Sequence, residues 1–155
     1  MRGFLKPFAF IAFFLPFFSF SLWTGEWQGE AEMHSYTLPA SKGILYVSYT
    51  QTGVQLVLNK AQYKTKYTQQ EWGPETYEIR NGDLFDESKK IGEVSENHIS
   101  IFREALTPQG KYYFETHVTK TGEHSVSYDE NWFTQKKPVY SLKGVLEVVP
   151  SQKLP

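Results

Sequence analysis

The chain has 155 residues, a formal charge of −1 and no cysteine, which rules out disulfide scaffolding, thiol catalysis, thiolate metal sites and lipid attachment through Cys. Its Lys and Arg residues are scattered. No stripe of them could neutralise a row of phosphates, so nucleic acid is not an expected partner.

Arg2 and Lys6 precede an apolar run, Pro7 to Phe18, that is shorter than the roughly 20 residues needed to span a bilayer and is interrupted by Pro16. With Ser19-Phe20-Ser21 as a small-x-small cleavage site, residues 1–21 read as a secretory signal peptide, and the mature chain is expected to start at Leu22. Residues 22–155 then form one domain with fourteen basic and seventeen acidic residues, a formal charge of −3. Without disulfides, and with no Asn-x-Ser/Thr sequon, the expected location is the periplasm or exterior of a bacterium.

Trp23 to Tyr36 is the most densely patterned stretch. Trp27, Gly29, Ala31 and Met33 fall on one side of a predicted strand, and Glu26, Gln28, Glu30, Glu32, His34 and Tyr36 fall on the other. Ile44 to Thr50 is β-branched and aromatic, and Thr52-Gly53 separates it from the alternating Val54 to Leu58. The alternation continues through Tyr63, Thr65 and Tyr67. Trp72-Gly73-Pro74 is read as a turn, Tyr77 and Ile79 as strand, and Asn81-Gly82 as the strongest hairpin signal in the chain. Leu84-Phe85 and Ile91 to Val94 follow as short strands. His98 to Leu106 fits both strand and helix spacing and is taken as strand.

Lys111 to Thr119 places Tyr112, Phe114, Thr116 and Val118 on one face, and Tyr113, Glu115 and His117 on the other. Ser125 to Thr134 places Val126, Tyr128 and Trp132 on a core-type face. The last strand does the same with Tyr140, Leu142, Gly144, Leu146 and Val148. About 8–10 strands joined in series, with the last returning to the first, predict an all-β, antiparallel up-and-down barrel, because closure removes the exposed edges of an open sheet.

Gly25-x-Trp27, the mature length and the meander resemble lipocalin-like (calycin-type) barrels. That resemblance implies a structural Gly25, Trp27 and Gly29, with Trp27 packed across the closed end of the barrel. Two departures bear on cargo. The link Thr37 to Lys42 is too short for the helical lid of fatty-acid-binding proteins, and their late Arg-x-Tyr carboxylate clamp is missing, Lys143 being the sole basic residue of the last strand. Gly25, Trp27, Gly29, Tyr36 and Pro39 also resemble the opening of nitrobindin-like haem-binding barrels, which implies His117 or His124 as the axial ligand.

Other constellations have plainer readings. Glu30, Glu32 and His34 share a strand face and could share a cation, but a solvated face explains them as well. His117 with Ser125, Ser127 and Asp129 lacks a nucleophile elbow, so no catalytic residue is assigned and no enzymatic activity is expected. No metal or cofactor is assigned either. All ten Tyr and all four Trp lie in the mature domain, where amphipathic rings can line a partly polar cavity or plug a barrel. The expected function is therefore binding of a small apolar or amphipathic ligand, with Tyr128, Trp132, Tyr140 and Leu142 lining the cavity. The alternative is a plugged barrel acting as an envelope interaction protein.

Overall fold

Alternation of apolar and polar residues becomes eleven strands: β1 (Gly25–Ser35), β2 (Ser41–Gln51), β3 (Gln55–Lys64), β4 (Gln69–Trp72), β5 (Glu75–Arg80), β6 (Asp83–Asp86), β7 (Lys89–Val94), β8 (His98–Thr107), β9 (Gly110–Lys120), β10 (Ser125–Phe133) and β11 (Pro138–Val148). This computed structural model describes residues 23–135 and 137–150. The expected signal peptide, residues 1–21, lies outside them. Among the described residues no helix is long and apolar enough to cross a membrane.

Every pairing is antiparallel and almost every strand pairs with its neighbours in sequence. Closure comes from β1, which pairs with β2 (Trp27 opposite Val47) and with β11 (Trp27 opposite Val148). The expected closed antiparallel barrel is thus the fold, with ten strand positions around the ring. Eleven strands fill ten positions because β4 and β5 share one: Ala61 pairs with Trp72 and Leu58 with Glu75, a single register along one edge of β3.

Two local expectations are corrected. Trp72-Gly73-Pro74 does not reverse the chain; it interrupts one strand position, where Pro74 has no N–H to give to the ladder. Beyond Lys64 the alternation of Thr65 and Tyr67 does not extend β3, because Thr65 Oγ1 accepts hydrogen bonds from the Tyr67 and Thr68 amides (3.2 and 3.0 Å) and folds the segment into a turn. The Asn81-Gly82 hairpin is as expected, with both residues at positive φ (51° and 84°), the geometry that matches the twist of the flanking strands. The ambiguous run at His98 is strand, paired with β9 from His98–Thr119 to Thr107–Gly110.

A ten-position meander puts alternate turns at opposite ends. One end carries the start of β1, the turns 52–54, 81–82, 95–97 and 121–124, and the end of β11. There Trp23, fully buried, donates its indole N–H to the Ser95 carbonyl at 2.8 Å, with the Lys120 ammonium 5.0 Å from its ring centroid. Trp27 packs beside it (6.2 Å) and meets Tyr49 edge-on (6.3 Å). Val47, Leu56, Leu84, Ile99, Val118, Val126 and Leu146 fill this half to exclusion of solvent. The interior is therefore plugged at the Trp23 end. The other end, ringed by 36–40, 65–68, 87–88, 108–109 and 134–137, is the mouth.

Candidate functional site

Inward-facing residues change character on the way to the mouth. Along β10 they are Val126, Tyr128, Glu130 and Trp132, so a carboxylate occupies a core position with 2% of its surface exposed. Burying an unpartnered charge would cost several kcal/mol. Here Glu130 Oε2 accepts from the Tyr128 hydroxyl (2.5 Å) and the Thr116 hydroxyl (3.3 Å), while Oε1 accepts from the Trp132 indole N–H (2.5 Å). Two donors come from the residues two positions either side on the same strand face, and the third comes from Thr116, paired with Glu130 across β9 and β10.

A second polar group stands beside it. Arg103 on β8 pairs with Glu75 at the start of β5, and Glu75 also accepts from the Tyr77 hydroxyl. The guanidinium lies 5.1 Å from the Phe114 ring centroid, an additional attraction for a cation. Burial works against the Arg103 charge, but the nearby Tyr77, Glu75 and Glu130 outweigh it and raise its pKa. Tyr49, Tyr77 and Tyr128 are all pushed up, first by burial and then by these carboxylates, and so are held as neutral phenols.

Above Glu130 lies a cavity of about 250 Å³ at the mouth. Trp72, Trp132 and Tyr140 give it aromatic walls, Met33 and Leu142 add apolar surface, and Gln70 and Glu130 are its polar members. Trp132 meets Tyr140 at 86° (centroids 5.9 Å) and is backed by Phe114 at 4.5 Å. This volume is below the roughly 300–1,000 Å³ of drug-sized sites, so it suits a small molecule or one end of a longer one. A larger hollow of about 670 Å³ lies outside, an open groove with Lys42, Lys64, Lys66 and Lys143 facing Glu30 and Glu32. It is solvated surface, and the mouth cavity is the better site because its walls converge.

Of the four residues expected to line a cavity, Trp132, Tyr140 and Leu142 do so. Tyr128 is 3% exposed and lies outside the lining, where it holds Glu130. Neither candidate haem ligand faces the cavity. His117 is on the outer face of β9, stacked on His98 (5.3 Å) and bonded to Glu115 (2.9 Å), and His124 is exposed at the plugged end. On the outer face of β1 Glu32 touches His34 at 3.3 Å, and Asp129 is engaged by Lys143 at 2.9 Å rather than by a serine and histidine.

Glu130, with the Arg103–Glu75 pair, is what the sequence reading missed. The signal was present: with Val126, Tyr128 and Trp132 assigned inward, period two places Glu130 inside with them, and a charge in a core register marks a site.

These features define a class, the closed ten-position antiparallel barrel plugged at one end and hollow at the other. Among solved structures the chain is similar to Rv2717c from M. tuberculosis, with 13% identity over 84% of this chain and 94% of that one and a TM-score of 0.58. It is also similar to a redesigned β-barrel (14% identity, 84% and 94% covered, TM-score 0.47) and to the redesigned β-barrel mFAP1 bound to DFHBI (13% identity, 81% and 94% covered, TM-score 0.42). No family model and no curated protein matches the chain.

Proposed function

We propose that the chain is an exported, calycin-type barrel that binds a small amphipathic molecule in its mouth and carries out no reaction on it. The observation that carries this reading is the change along the barrel axis, from aliphatic packing around Trp27 to a hollow walled by Trp72, Trp132 and Tyr140 over one buried carboxylate. Aromatic walls supply contact area and Glu130 supplies orientation, the usual division of labour in a ligand pocket. Buried apolar area at roughly 25 cal/mol per Å² sets the strength, so a cavity this small supports modest affinity. Titration with a hydrophobic fluorescent probe is expected to show saturable binding that Trp132→Ala weakens while the protein stays folded. Absence of saturable binding to the folded wild type would overturn the reading.

A second reading rests on the outer wall near the mouth. Phe102, Tyr113 and Phe133 stack there as a ladder with centroids 5.7–6.2 Å apart, as an envelope interaction protein would present to a partner.

A further inference from the structure

The mouth cavity joins two features that separately are common: three aromatic walls and a buried carboxylate that, among the described residues, no cation pairs directly. Glu130 is held by a phenol, an indole and a hydroxyl, all neutral donors. The neighbouring guanidinium of Arg103 is committed to Glu75. Among the described residues the inward-facing charged groups at the level of the cavity floor are thus two carboxylates and one guanidinium, which leaves one negative charge where converging walls exclude much of the water. A cation entering there is attracted more strongly than it would be in bulk solvent.

The walls favour the same charge. Trp72, Trp132 and Tyr140 bound the cavity with three aromatic rings, whose π-systems attract a cation more than a neutral or anionic group. The carboxylate has about four lone-pair sites and already accepts three hydrogen bonds, so the site needs charge more than it needs a donor. A bare metal ion is a poor fit, since the described residues include no cluster of three His, Asp or Glu that could hold one.

From this we infer that the ligand is a small organic cation, an alkylated ammonium group on an apolar body, with the ammonium between Trp72, Trp132 and Tyr140 above Glu130. The inference rests on the small-molecule reading above and names the ligand class of that site. Lysines on or beside the mouth turns, among them Lys42, Lys64, Lys66, Lys89, Lys111 and Lys137, are exposed and set up the competing preference for an anion, which the experiment must include.

Hexyltrimethylammonium, hexanol and hexyl sulfate share one chain and differ in head-group charge. Calorimetric titration of the mature protein at one ionic strength is expected to rank the ammonium about tenfold tighter than hexanol, with the sulfate weakest. Trp72→Leu should weaken the ammonium about tenfold and change hexanol less than about twofold, since the wall stays apolar but loses its ring. Glu130→Gln should act in the same direction, and circular dichroism checks that it folds; if it does not, Trp72→Leu decides. Equal or tighter binding of hexanol or the sulfate would overturn the cation assignment. Saturation by the fluorescent probe without ammonium selectivity would do so while leaving the small-molecule reading intact, and failure of the probe and all three ligands would overturn both.

Discussion

Single residues set the polar interior. Tyr49, Tyr77 and Tyr128 are 2%, 4% and 3% exposed, and each has its phenol pushed above the ordinary value of 10.0 by burial and by Glu75 or Glu130. A group whose pKa is higher in the folded than in the unfolded chain stabilises the fold fully below the unfolded value, and that contribution is lost as pH rises beyond it. Stability should accordingly be insensitive to these three phenols up to about pH 10 and fall above it. Ultraviolet titration at the phenolate band, run alongside circular dichroism, is expected to show Tyr49, Tyr77 and Tyr128 ionising only with unfolding. If these three titrate while the strands persist, they are not buried as described.

At the scale of an element, β1 holds the ring shut and its face assignment decides the register of both neighbours. Trp27 is 6% exposed and packs between Trp23 and Tyr49, while Gly29 lies where a β-carbon would run into the Val145 carbonyl of β11. A β-carbon at Gly25 would press on the Trp27 ring, so the glycines flanking the tryptophan make room for the ring and for the adjacent strand. Trp27→Ala is expected to cost about 3–5 kcal/mol in denaturant unfolding, the range for emptying a buried aromatic site. A loss below about 1 kcal/mol, typical of surface sites, would mean that the ring does not bear on the core.

For the whole molecule, an end-to-end division of labour fits its size and its lack of disulfides. A small domain without covalent staples needs a continuous aliphatic and aromatic core, and the plugged half supplies it. That leaves the mouth half free to hold a cavity and a charge. Export belongs to this scale too, as part of the proposed reading: Arg2 and Lys6, the apolar run and Ser19-Phe20-Ser21 set the expected mature terminus at Leu22. Mass spectrometry of protein recovered from its native compartment should find Leu22 at the terminus, and an intact Met1 on soluble cytoplasmic protein would exclude export.

Strand faces, hairpins and the closed barrel were legible in the sequence, because a half-buried strand must alternate with period two and because Asn81-Gly82 has the conformational freedom its turn requires. Trp27, Tyr128, Trp132 and Leu142 were placed inward on that basis alone. What alternation cannot specify is which inward residues meet across the barrel, since that depends on register and on how far along the axis each strand stands. Tertiary structure alone joins Trp23 to Ser95, brings Arg103 to Glu75 between strands far apart in the chain, and stacks His117 on His98. It also makes Glu130 tenable, since a core carboxylate is destabilising in isolation and becomes stable only when Thr116, Tyr128 and Trp132 converge on its oxygens.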